Sequence, residues 1–540
     1  MNPKNQNYLF LLTIFSFLTL TNQIFANKAI FPSRMKTPFE ESKKTKRSTV
    51  SSIKRSSSDP AALSNIASAL LIAKIPTILD NTFYKKTHPG LFKNILHAPL
   101  FAHSTTKNKK PGWKFNLFLN INPIKDFTET NNGRAQKLSS YLNLEDQNII
   151  GAFDQAKTAV TMIVAFDDFN IPDLFNVFAP MKLQENRLGV VAEYHKKWNN
   201  IFVNVKLPFL WAERNFNFTQ AEKELIYTND LIKRFEVVDE WEFARKYMIS
   251  DQLGFGTLET TFGTHIVKND AGGIEAGVTL HFPTEFALKK GLLGTYRELV
   301  DEQPVLDFCE LFTQDGLVTK GTSNWQDTIS NYLENAFTRF TSNLLNVPLG
   351  FNGHPGIEVY LSPTWNINHR WTWKSSYSFE IFIPVYQNRL IIESLKSETE
   401  ISDVYNNEPS NEKKIKLVQQ VISDRLYPEL SKSLIMPGAI FNSSSCFHYT
   451  RGNKTFSFGS STWVQLREQM YSHSLSPEVQ WDIAAAELPW ASQSKIFCKI
   501  EKTIQKEFYD LLFGFYADYT AFNHAMGNDF LINFEIKGKF

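Results

Sequence analysis

The sequence is poor in several things. No stretch reaches the ~20 consecutive apolar residues that a membrane-crossing helix needs; the longest candidate, Tyr8 to Leu20, is too short. Mean hydropathy is −0.26 with 43% hydrophobic residues, which excludes a bundle of membrane helices. It does not exclude strands that are apolar on one face only. Net charge is nearly absent, with Lys+Arg 57 against Asp+Glu 55. No global field argues for nucleic acid, although the pI is about 8.1. Cysteine is scarce. Cys309, Cys446 and Cys498 are widely spaced and odd in number, so they form no metal motif and no disulfide framework.

What is present in excess is aromatic: 14% of residues, with 46 Phe. The first 26 residues read as a secretory signal. Lys4 supplies the positive start, Tyr8 to Leu20 the apolar segment, and Ala26 the cleavage position. Residues 27–110 form an amino-terminal extension. Lys43 to Arg47 and the serines of 48–58 make a flexible, basic linker. Asp59-Pro60 then opens a helix with Leu63, Ile66, Ala67, Leu70 and Leu71 on one face.

From residue 111 to 540 the dominant signal is alternation. Trp113 to Asn122 places Trp113, Phe115, Leu117, Leu119 and Ile121 on one face, with Phe118 out of pattern. Hairpins follow at Leu188–His195 with Ile201–Phe209, Leu258–Val267 with Ile274–Phe282, and Ile357–Trp365 with Trp371–Ile383; Pro208, Pro283 and Pro384 are read as closing them. Weaker units span Ile440–Tyr449 with Thr455–Leu466 and Ser494–Glu501 with Phe508–Phe522. Phe530 to Phe540 alternates without a break. The long connections between hairpins carry helices: near Ala135 to Leu144, at a Thr219/Glu222 capping box, at Asn324 to Leu345 and at Glu412 to Leu430. Val160 to Phe166 is an apolar run without a place. The expected fold is all-β: a closed antiparallel transmembrane β-barrel of about 12 strands, with helical insertions in the long loops and the amino-terminal extension. With both termini in the periplasm, short turns fall on the periplasmic side and long helical connections outside.

The terminal stretch resembles the carboxy-terminal insertion signal of Gram-negative outer-membrane barrels, with Phe534, Ile536 and the final Phe540 as the signal residues. The chain as a whole resembles porin-like outer-membrane channels, those for uptake of aromatic or other hydrophobic compounds above all. Gly254-Phe255-Gly256-Thr257-Leu258-Glu259 is similar to their Gly-x-Gly-Asp strand start, and Phe282-Pro283-Thr284-Glu285 to their Pro-Thr-Gly strand end. Thr257 stands in place of the Asp and Glu285 in place of the Gly, and the Asn-Pro-Ala plug motif of fatty-acid channels is absent. The resemblance implies the barrel fold and passive transport, with the outer-membrane lipid and the barrel-assembly machinery as partners and small solutes as cargo. It implies no cofactor and no nucleic acid.

Catalytic and metal chemistry find no support in the sequence. His448-Tyr449-Thr450-Arg451-Gly452-Asn453 lacks the serine of a barrel phospholipase and falls on an expected turn. His265 and His281 face each other across one hairpin in this reading, yet two histidines fall short of the three or four ligands of a metal site. The expected pore-lining residues are Glu193, Lys206, Glu259, Glu275, Glu358, Lys374, Glu380, Lys499, Asp510, Asp518, Glu535 and Lys537. Their mixed signs give no strong ion selectivity. The reading is a porin-like channel in the cell outer membrane, not an enzyme. Two alternatives stay open: a non-transporting surface-structural or adhesion barrel, and a soluble secreted β-sandwich binding protein.

Overall fold

The computed structural model describes residues 112–125, 127–128, 135–136, 183–228, 239–295, 345–391, 429–472, 483–505, 510–524 and 528–539, with scattered positions in 334–342 and 404–413 and at 481. The signal segment, the linker, the 59–71 helix, Val160 to Phe166, Cys309 and Phe540 lie outside the described residues.

The strands are β1 (Gly112–Lys125), β2 (Phe127–Thr128), β3 (Ala135–Gln136), β4 (Leu183–Trp198), β5 (Ile201–Asn215), β6 (Ile249–Phe255), β7 (Leu258–Asn269), β8 (Gly272–Phe282), β9 (Phe286–Lys290), β10 (Gly356–Asn366), β11 (Trp371–Phe382), β12 (Val385–Ile391), β13 (Glu429–Met436), β14 (Ile440–Arg451), β15 (Lys454–Gln465), β16 (Gln469–Ser472), β17 (Ala491–Gln505), β18 (Asp510–His524) and β19 (Asn528–Lys539). The main sheet pairs β4-β1-β19-β18-β17-β15-β14-β11-β10-β8-β7-β5-β6-β9, and β4 also pairs with β5. That last pairing closes the ring. β6 with β7, and β8 with β9, are each one stave broken once, so the barrel has 12 antiparallel strands. Above it, β12-β13-β16 form a three-stranded extension that continues β11, β14 and β15 in the same order.

The wall is two-faced because a strand alternates its side chains. On β1, Phe115 and Leu117 are exposed while Lys114, Asn116 and Asn120 are buried. The same holds around the ring: Leu188, Val190, Phe262, Val278, Val359, Phe379, Phe441, Ile500, Phe515 and Phe534 are exposed. Apolar side chains on the outside and charged ones on the inside invert the pattern of a water-soluble fold, as a lipid-facing barrel requires. The soluble sandwich is thereby removed. Aromatic rings cluster near the rim of short turns, where Trp371 packs on Tyr449 at 4.9 Å and on Phe458 at 6.3 Å.

Several expectations are corrected. Phe118 does break the alternation: it is an apolar side chain on the inward face, 3% exposed, and joins an inner apolar cluster with Val191, Leu210, Tyr516, Phe497 and Leu531. Pro283 and Pro384 follow the ends of β8 and β11 as expected, but Pro208 does not close its strand. Pro208 lies within β5, between its pairing with β7 (through Lys206) and with β6 (from Phe209). A residue without an N–H fits where the partner changes. Pro283 and Pro384 likewise mark interruptions, and the chain continues as β9 and β12. The helix expected from Ala135 is contradicted at its start, where Ala135–Gln136 pairs with Phe127–Thr128. The helix expected to reach Leu430 is overrun by β13. The Thr219 capping box is observed: Thr219 N donates to Glu222 Oε2 at 2.7 Å and Glu222 N to Thr219 Oγ1 at 3.3 Å, opening helix α1 (Gln220–Thr228). A short helix α2 (Glu240–Phe243) runs into a π-turn at Ala244–Met248. Helix α3 (Ile483–Ala486) precedes β17.

Candidate functional site: the barrel interior

All twelve expected interior residues fall on the inward alternation of their strands. They separate into two groups. The first is on the side of the barrel where β1 meets β19. Lys499 Nζ lies 2.8 Å from Glu535 Oε2 and 2.9 Å from Glu501 Oε1. Lys114 reaches the same Glu535 oxygen at 3.5 Å and Glu193 at 3.7 Å. Lys499 and Glu535 come from strands flanking β18, and they meet because β18 offers Gly514 between them. A Cβ there would come within 3.2 Å of Glu535 Cβ and 3.4 Å of Lys499 Cε. A second knot sits nearer the loop rim. Lys495 pairs with Asp518 at 2.8 Å and Asp529 at 2.9 Å; Tyr516 Oη donates to Asp518 Oδ2 at 2.9 Å, and Asn120 and Gln493 donate to Asp529. Lys499 and Glu535 side chains are wholly buried. Buried charges are tolerable only when paired and hydrogen-bonded in this way. Asp510 and Lys537 lie on the same inward rows toward the turn rim, half-buried.

The second group lies on β5 to β11; Lys206, Glu259 and Glu275 keep some contact with solvent, whereas Glu358 and Glu380 are buried. Lys206 pairs with Glu259 at 3.2 Å, their side chains 16% and 12% exposed. Tyr360 Oη donates to Glu275 at 3.2 Å, and Glu275 is 24% exposed. Tyr360 packs against Gly277: a Cβ on that glycine would sit 2.7 Å from the ring carbon Cε1. Glu358 registers with Glu380 across β10 and β11, and Asn442 Nδ2 donates to Glu380. Lys374 is half-buried on β11. The two histidines do not face each other. His265 registers with Glu275 and His281 with Glu259, at opposite ends of the hairpin. His448 is not on a turn but inside β14, its Nε2 3.1 Å from Cys446 Sγ and its Nδ1 2.7 Å from Ser457 Oγ. Cys446 is buried inward and Cys498 is exposed, and both are free thiols. No cluster of three His, Cys, Asp or Glu side chains among the described residues could hold a metal ion.

The mouth at the loop rim is narrowed by the segment before β10. Leu345, Val347, Leu349 and Phe351 are buried. Val347 O accepts from Gln252, Asn346 from Ser250 and Arg214, and Phe351 N donates to Thr257 Oγ1 at 3.1 Å. The two motif stretches noted in the sequence meet here. Thr284 Oγ1 donates to Gly256 O at 2.8 Å, and Thr257 Oγ1 to Glu285 Oε1 at 3.0 Å. At the foot of the segment, His354 Nδ1 donates to Ile383 O at 3.0 Å and Nε2 accepts from Gln387 at 2.8 Å. Burial pushes the His354 pKa down to about 4. Further out, Asp251 accepts from the backbone of Leu292, Leu293 and Gly294 and from Trp211 Nε1.

The chain is built as a closed antiparallel β-barrel of 12 strands. No family model and no curated protein matches it. Solved structures do. An outer membrane channel from Pseudomonas putida F1 aligns at 8% identity over 81% of this chain and 100% of that chain, with a TM-score of 0.38. The Pseudomonas putida toluene transporter TodX aligns at 8% identity over 84% and 95%, with a TM-score of 0.26. The CymD monoaromatic hydrocarbon channel aligns at 7% identity over 80% and 89%, with a TM-score of 0.28.

Sequence reasoning missed Lys114, Lys495, Glu501 and Asp529. Each lies on an inward position of an alternating strand, so the period was a sufficient signal. It missed the narrowing segment because nothing in its composition distinguishes a loop folded inward from one folded outward.

Proposed function

We propose that this protein is a channel of the outer membrane for passive passage of small solutes, and that the twelve interior residues line or border its path. The observation carrying this reading is the asymmetry of the interior. Lys206, Glu259 and Glu275 keep 16%, 12% and 24% of their side-chain surface open, whereas Lys499 and Glu535 keep none. Water-contacting charges along one wall are what a hydrophilic path leaves behind. The path then runs beside β4 to β10, from the narrowed mouth to the short turns, which face the periplasm. Phe534 and Ile536, both exposed on β19, belong with Phe540 to the segment read by the assembly machinery.

The tightly paired half supports a second reading, a non-transporting structural barrel. Reconstitution of the folded protein into a planar lipid bilayer decides between them. Discrete conductance steps support the channel; a silent bilayer holding protein of folded, heat-modifiable mobility favours the structural barrel.

A further inference from the structure

One belt of the interior is unbalanced in charge. Round the wall below the narrowing segment stand Lys206, Glu259, His281, Glu358, Glu380 and Asn442, on β5, β7, β8, β10, β11 and β14. The registers Lys206 with Glu259, Glu259 with His281, and Glu358 with Glu380 hold adjacent members level. The lysine is engaged by Glu259. Glu358 and Glu380 face each other directly, and like charges in register repel.

His281 adds a separate observation. It is 2% exposed, and neither ring nitrogen has a hydrogen-bond partner. Phe351 meets the ring edge-on at 5.1 Å and Phe382 lies 5.9 Å away. These aromatics fix the imidazole with Nε2 3.9 Å from Glu358 Oε2. A buried polar group without a partner is costly, and its Nε2 is aimed at Glu358, in a belt where three carboxylates share one lysine. A cation arriving with water satisfies both. Its charge offsets Glu358 and Glu380, and its water bonds the imidazole.

Resting on the channel reading, we infer that this belt is the channel's cation-binding constriction, taking small monovalent cations, alkali or ammonium, in partly hydrated form. The described side chains do not converge on a metal-sized point, so the ion is held through water. Loose binding of that kind lets an ion leave as well as enter.

The test is the zero-current potential of the reconstituted protein across a potassium chloride gradient. Wild type is expected to favour potassium over chloride. Glu358→Gln and Glu380→Gln, each checked for folded mobility, should bring the permeability ratio toward unity. Lys206→Met should move it the other way, which keeps the inference testable if either glutamine variant fails to fold. A chloride-preferring or unselective wild type overturns the inference, as does selectivity unchanged in all the folded variants. A wild type that conducts nothing overturns the channel reading itself, which is a distinct result.

Discussion

A charge placed on the outer face should cost different amounts at different heights. At a strand tilt of about 40°, each residue climbs roughly 2.5 Å along the barrel axis. Val278 is outward-facing and exposed, six positions (272 to 278) along β8. It therefore stands roughly 15 Å above the turn rim, near the middle of an apolar band about 25 Å tall. Ile383 is also exposed and lies twelve positions (371 to 383) beyond the start of β11, roughly 30 Å up and past the band's edge. Arginine at a lipid midplane costs about 2–4 kcal/mol and near the interface about 0–1. Val278→Arg should then lose roughly 2–3 kcal/mol more than Ile383→Arg, a factor of about thirty to one hundred and fifty in the folding equilibrium. Urea unfolding from phospholipid vesicles, followed by tryptophan fluorescence and gel mobility, measures both. In water both exposed sites would change stability by only about 0.5 kcal/mol. Equal losses, or none at either site, would refute the lipid-facing assignment.

Glu535→Gln should destabilise by about 1.5–3 kcal/mol because it removes the carboxylate shared by buried Lys499 and Lys114, which keep only Glu501 and Glu193; a cycle with Lys499→Met should show strong non-additivity in the same unfolding assay. Asp251→Ala removes the acceptor shared by Leu292, Leu293, Gly294 and Trp211, so protease should cut near residue 292 faster in folded protein. The narrowing segment should loosen in acid. His354 stays neutral down to about pH 4 when folded, but takes its proton near pH 6.5 when unfolded. The unfolded form thus binds more protons between these values. Stability is full above about 6.5 and falls by roughly 1.4 kcal/mol per pH unit toward 4. Limited proteolysis of 347–355 should be faster at pH 5 than at pH 7 in wild type, and equal at both in His354→Gln.

The staves were legible because a half-lipid, half-water wall imposes a period of two, and Trp113 to Asn122 or Phe530 to Lys539 carry nothing else. The inward parity of Lys499, Asp518 and Glu535 followed from the same period. Partner identity did not. Lys499 meets Glu535 by reaching across a third strand, and only the register of β17, β18 and β19 sets Gly514 beneath them. His265 and His281 looked like neighbours because they share a hairpin, but the pairing sums put each opposite a glutamate. Pro208 misled for a related reason. In a long wall a proline marks a seam, since the stave resumes beyond it, and local composition cannot tell a seam from an end.

The joint between β1 and β19 has a consequence in time. Asn533 donates to Asn116 and Asn120 to Asp529, across 417 and 409 residues of sequence. Until residues 528–539 emerge, β1 and β18 each present a bare edge, the kind of surface that recruits another chain. No order of synthesis spares the protein this wait, and contacts so distant in sequence form slowly. Maturation is therefore one event, timed by the delivery of the last strand. The stalled or nicked chain that lacks β19 is not a slightly weaker barrel but an open sheet, exposed to aggregation and proteolysis from both sides.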